Sequence, residues 1–99
     1  MSRMGATVRI NAKDGRGDEL ADVLARVRAE VMKEPGCELY TILRSWKQPD
    51  EFALVEIYRD RDALKAHQTN EALGPVSAPL GELTASMDIW FGEIADGQG

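Results

Sequence analysis

Cysteine and histidine each occur only once in this 99-residue sequence, at Cys37 and His67. A single cysteine excludes an internal disulfide and fits a reducing compartment. One cysteine and one histidine cannot build a structural zinc site within one chain, and no HExxH-type helix is present. No apolar run approaches membrane-spanning length. The opening MSRMGATVRI carries an arginine but no apolar h-region ahead of the first strand, so no secretory signal and a cytoplasmic location are expected. Net charge is −5 with no basic cluster, which counts against nucleic acid and anionic membranes as partners. Gly15-Arg16-Gly17 is half of a dinucleotide-binding fingerprint. It lacks the third glycine, so it reads as a turn. Serines occur without a nucleophile elbow, which removes hydrolase triads. With no complete phosphate-cradling loop and no metal cluster, the protein is expected to be free of cofactor and metal.

What remains has an ordinary composition, 43% apolar and 29% charged, and a length suited to one domain over residues 1–99. Residues 6–12 alternate, with Ala6, Val8, Ile10 and Ala12 on one face, as a strand with one apolar side requires. From Asp18 to about Lys33, Leu20, Val23, Leu24, Val27 and Val31 recur at helical spacing, and Pro35-Gly36 stops the helix. Cys37 to Trp46 and Phe52 to Tyr58 read as strands joined by the polar KQPDE turn. A helix with His67 follows, capped by Asp60. Residues 70–85 are interrupted by Gly74, Pro75 and Pro79, with Pro79 in the first turn of a short helix through Leu80 and Leu83. Met87 to Ile94 is the last strand, and 95–99 reads as a frayed tail beyond a core at about 6–94. Strand, helix, strand, strand, helix, strand is the split βαβ, ferredoxin-like α+β order, a four-stranded antiparallel sheet with helices on one face.

The strands carry apolar residues on both faces. Tyr40, Ile42 and Trp46 oppose Leu39 and Leu43; Phe52, Leu54 and Tyr58 oppose Val55 and Ile57; Met87, Ile89 and Phe91 oppose Trp90. Helices cover only one face, so a second copy packing on the sheet is expected, and an arginine at Ile42 or Ile57 reports which face it meets. Glu56, mid-strand among apolar residues, needs a partner, for which Arg9 or Arg44 is the default. Cys37 reads as a structural thiol. Most of Tyr40, Trp46, Tyr58 and Trp90 belong to core or interface, with one or two left to line a pocket for a flat apolar ligand. His67 shares a helix face with Ala63 and Leu64 and so points at the sheet. A lone inward histidine is commonly a satisfied core residue. Its other use is to move a proton near neutral pH.

Taken together, Pro35, Gly36, Cys37 and Tyr40, then Glu56 and Tyr58 at a strand end, then Ala63 and His67 on a helix, resemble the antibiotic biosynthesis monooxygenase family. The likeness covers roughly residues 6–94 and is best between 35 and 67. It implies a dimeric α+β barrel with a pocket between sheet and helices near His67. It implies relatives that oxidise quinols or polycyclic phenols with molecular oxygen and no cofactor, the protein removing a phenolic proton so that the electron-rich anion reduces oxygen itself. On that model His67 is the base or proton shuttle. Asn70, one helical turn on, orients substrate oxygens, and Tyr40, Tyr58 and Trp90 are candidate pocket aromatics. Haem-degrading members of the family use an asparagine on the first strand, a tryptophan on the second helix and a further histidine. Val8, His67 and no histidine stand there instead, which argues against haem. Other relatives isomerise small phosphorylated sugars, a use that the lack of clustered lysine and arginine disfavours.

The leading expectation is therefore a cytoplasmic homodimeric monooxygenase taking an aromatic, quinol-like small molecule and O2. An isomerase using His67 in the same pocket is a second reading. A non-catalytic ligand-binding dimer with a structural His67 is a third.

Overall fold

The alternation around Val8 sets the centre of the molecule. In the computed structural model, which describes residues 2–96, it lies in β1 (Met4–Ala12). Met4, Ala6, Val8, Ile10 and Ala12 are buried there, and Thr7 and Arg9 are exposed. The chain continues as α1 (Gly17–Val31), β2 (Cys37–Arg44), β3 (Glu51–Tyr58), α2 (Arg61–Gln68), α3 (Leu73–Ser77), α4 (Leu80–Leu83) and β4 (Thr84–Glu93). The strands form one antiparallel sheet in the order β2-β3-β1-β4, the ferredoxin-like α+β fold that the order of elements implies.

The apolar stripe of α1 makes the core. Leu20, Val23, Leu24, Val27 and Val31 pack on Val8, Ile10, Tyr40, Phe52 and Leu54 from the inner face of the sheet. Burying each such aliphatic side chain contributes about 1.5–3 kcal/mol. The turn before α1 needs its glycines. Gly15 has φ +78°, and a Cβ at Gly17 would stand 2.4 Å from the Pro49 carbonyl oxygen. The N–H groups of Gly15 and Gly17 both donate to the Asp50 carboxylate, at 3.0 and 2.9 Å. That turn is structural: a carboxylate sits where the helix dipole favours negative charge.

Several boundaries differ from the expected ones. β2 ends at Arg44 because the Ser45 hydroxyl accepts the N–H groups of Lys47 and Gln48 and turns the chain, which leaves Trp46 94% exposed. β4 starts at Thr84, paired with Ala12 across a register shift, rather than at Met87. Residues 73–83 hold two short helices, with Pro79 at the N-cap of α4 rather than inside its first turn. Of the expected frayed tail, residues 97–99 lie outside the described residues, and 95–96 carry no helix or strand.

The sheet's apolar surplus is divided between its two sides. Leu39, Leu43 and Trp90 are exposed on the outer face. Met87, Ile89 and Phe91 pair with Ile10, Val8 and Ala6, so they share the inner face with the core, yet they remain 43, 52 and 47% exposed. β4 packs chiefly on β1, and the helices lie over the other three strands.

Candidate active site

Two close approaches hold the helix of His67 against the sheet. Asp60 caps α2 by accepting the Ala63 N–H at 2.8 Å, as expected from its type and place. Gly36, just before β2, lies directly under Ala63: a Cβ at Gly36 would stand 2.4 Å from the Ala63 Cβ. The Pro-Gly step therefore does more than stop α1. It lets α2 settle close enough for His67 to reach the groups beneath it.

Those groups are two carboxylates. The His67 Nδ1 lies 3.1 Å from both carboxylate oxygens of Glu34, and its Nε2 lies 3.7 Å from Glu56 Oε1. Tyr58 donates its hydroxyl to Glu56 Oε1, and its ring is 4.9 Å from the imidazole, tilted by 35°. Asn70 donates from Nδ2 to Glu34 Oε2 at 2.7 Å, while its carbonyl oxygen accepts the Ala72 N–H at 3.0 Å. The side chains of His67, Glu34 and Glu56 are only 18, 12 and 7% exposed.

The expected pairing of Glu56 with Arg9 or Arg44 does not occur. Arg9 pairs with Ala53 and faces out, and Arg44 binds Asp18 and the Pro49 carbonyl while its guanidinium lies over Phe52. Glu56 faces α2 instead. Burial pushes its carboxyl above the usual carboxylate range, against the opposing pull of the Tyr58 hydrogen bond and the His67 charge. Burial, reinforced by the hydrogen bond to Glu56, suppresses ionisation of Tyr58, which stays a proton donor. Burial and the neighbouring Glu34 push the Cys37 thiol up to about 11, so it is no thiolate at neutral pH.

Of the residues singled out from sequence, His67, Asn70 and Tyr58 come together here. Tyr40 is buried in the core and pairs with Glu56 across β2 and β3. Trp90 stands apart: it is 70% exposed on the opposite face of the sheet, against Thr7. There it lines a separate apolar depression of about 230 Å3 with Val55, Ile57 and Ile94.

Sequence reasoning missed Glu34. Its only signal was an acid directly before Pro35-Gly36, and nothing in that spacing shows a contact with a residue 33 positions later. Glu34 and Asn70 also line a cleft of about 470 Å3 between the C-terminal end of α1 and α2, with Gly36, Arg59 and Ala63. Chemically, the arrangement sets an imidazole against a hydrogen-bond-accepting carboxylate on one nitrogen and faces the other toward Glu56. Among the described residues, no group of three or more histidine, cysteine, aspartate and glutamate side chains is arranged to hold a metal ion.

Known proteins agree with this architecture. SnoaB, a cofactor-independent oxygenase from Streptomyces nogalater, superposes with a TM-score of 0.87 at 18% identity, over 99% of this chain and 98% of its own. A candidate antibiotic biosynthesis monooxygenase from Caulobacter crescentus gives 0.87 at 24% identity, over 96 and 92%. Another from Nitrosomonas europaea gives 0.88 at 18%, over 98 and 94%. At such identities these likenesses speak for the fold. No curated protein matches the sequence. The sequence model for antibiotic biosynthesis monooxygenases matches residues 3–74, a span that includes Glu34, Glu56, Tyr58, His67 and Asn70, and the chain belongs to that family.

Proposed function

We propose that the protein is a cofactor-independent monooxygenase that oxidises an aromatic, quinol-like small molecule with O2, His67 accepting the substrate's phenolic proton. Membership of the family supports a monooxygenase-type activity. The observation that carries the residue-level reading is an imidazole placed between two nearly buried carboxylates, one of which holds a tyrosine hydroxyl. Loss of a proton to the imidazole leaves a phenolate, and its electron-rich ring passes electrons to oxygen. One oxygen atom ends on carbon. The other leaves as water with two hydrogens from the substrate, so no external reductant is needed.

The apolar part of such a substrate has a matching surface. Tyr40, Glu56, Ala6 and Phe91 stand on one rung across the sheet, all on the inner face. Ala6 is small, and Phe91 and Ile89 beyond it are about half exposed. Two strand spacings place Phe91 about 10 Å from Glu56, the scale of a fused-ring substrate. A homodimer belongs to the same reading, with a second copy on the outer face at Leu39, Leu43, Ile57 and Trp90. Ile57→Arg should then shift sedimentation from dimer to monomer, and a parent that is monomeric at micromolar concentration removes the dimer. No helix among the described residues is long and apolar enough to cross a membrane.

Oxygen consumption and absorbance change with a panel of hydroquinones test the activity, run with and without added flavin and metal. Uptake without additives is expected, and uptake no greater than the buffer control ends the oxygenase reading. One observation favours the non-catalytic alternative: both ring nitrogens of His67 face protein carboxylates, as in a purely structural ion pair. Under that alternative, His67→Gln lowers the melting temperature and changes no turnover.

A further inference from the structure

Glu34 holds the key to which nitrogen of His67 is free. A carboxylate can only accept hydrogen bonds, and both of its oxygens lie 3.1 Å from Nδ1. Nδ1 must therefore carry a proton whenever that contact is made. In the neutral ring the lone pair is then left on Nε2, which looks toward Glu56 Oε1 at 3.7 Å, too far for a direct hydrogen bond. Asn70 prevents Glu34 from swinging away. Its Nδ2 holds Oε2 at 2.7 Å, and its own carbonyl is tied to the Ala72 N–H. No other donor to the Glu34 carboxylate is needed to fix its position, and the Glu34 side chain is itself nearly buried.

We infer that Glu34 is a positioning residue, braced by Asn70, which fixes His67 in the Nδ1–H tautomer and presents Nε2 on the β3 side as the proton-accepting nitrogen. This rests on the proposed role of His67 as a base, and it moves Asn70 from orienting substrate to orienting the base through Glu34. When Nε2 takes up a proton, the ring becomes a cation already in contact with the Glu34 carboxylate, so the new charge is met without rearrangement. The same carboxylate also lines the cleft between the C-terminal end of α1 and α2, so the far side of the dyad is in reach of solvent.

The tautomer can be read without any substrate, from the 15N resonances of the single histidine in this 99-residue chain. The parent is expected to show a protonated Nδ1 and a bare Nε2 in the neutral ring. Glu34→Ala should move the proton to Nε2, with Asn70→Ala giving a partial move in the same direction. A parent with its proton on Nε2 overturns the inference. So does a Glu34→Ala ring that keeps Nδ1–H, or a parent ring that stays doubly protonated wherever the protein is folded. If hydroquinone turnover is found, Glu34→Ala should lower it by about 10²-fold, the scale expected for misplacing a reacting group. Absent turnover in a parent with the Nδ1–H tautomer sinks the oxygenase reading and leaves the role of Glu34 standing.

Discussion

Two regions on the inner face of one sheet break the hydrophobic-inside rule in opposite directions. Beneath α2, polar groups are buried: Glu56 is enclosed by Tyr58, His67 and Tyr40. Along β4, apolar groups are exposed: Met87, Ile89 and Phe91 face the helix side yet remain about half exposed. The rung from Glu56 through Ala6 to Phe91 joins the two. Elsewhere on this face the pattern is conventional, with Val8, Ile10, Phe52 and Leu54 under α1. Proteins tend to violate consistency where function requires it, and here both violations meet.

The largest expected effect lies at the polar end. His67→Gln keeps size and some hydrogen bonding but removes titration near neutral pH. Turnover should fall by about 10²–10⁴-fold with little change in melting temperature. Measuring rate and melting on one preparation separates this from a structural histidine. In that case stability falls, and the rate per folded molecule is kept.

The next test sets a covered residue against its uncovered neighbour on the same rung. Ile10→Ala removes a side chain that is 1% exposed and should cost about 2–5 kcal/mol in denaturant unfolding. Met87→Ala, its register partner on β4, should cost at most about 1 kcal/mol. Equal losses would mean that Met87 is covered in solution, which repeating the measurement across protein concentration would trace to a second copy.

Gly36→Ala probes how closely α2 must approach the sheet. The added methyl would meet the Ala63 Cβ, so a loss of about 1–3 kcal/mol is expected, and His67 should lose its contact with Glu34. Unchanged stability, together with an unchanged 15N spectrum of His67, would show that α2 has room to spare.

The smallest effect is the pH dependence carried by Glu56. Its folded carboxyl is raised by burial, so the folded state holds the proton more tightly than the unfolded chain. Stability from this group is present below the unfolded value and declines as pH rises through the raised folded value. Glu56→Gln should remove that decline, which urea unfolding across the acid-to-neutral range would reveal as a shallower slope. A slope identical to the parent's would mean that the buried carboxyl is compensated by Tyr58 and His67 at every pH.

Local spacing was enough for much of this molecule. Alternation in β1 and β3 and the helical repeat of α1 follow from side-chain geometry within one element, so the sheet, the core of α1 and the inward turn of His67 were legible. The cap at Asp60 was legible for the same reason, since its partner lies in the same turn. The turn glycines were legible by residue type, but their partner Asp50 lies 35 and 33 positions on. The family resemblance drawn from residues 35–67 also lay in the sequence alone.

Contacts between distant residues were decided only by the tertiary structure. Glu34 reaches His67 and Asn70 across the join between α1 and α2, and an acid beside a proline carries no mark of that meeting. Glu56 was legible as a buried acid in need of a partner, but the partner was not: Arg9 lies on the outer face, Arg44 is taken by Asp18 and the Pro49 carbonyl, and His67 comes down from α2. Trp90 and Phe91 are adjacent in sequence and equally apolar, yet lie on opposite faces of the sheet. Alternation assigns each residue a face, but whether anything covers that face depends on where the helices lie, which is settled only when the whole chain packs.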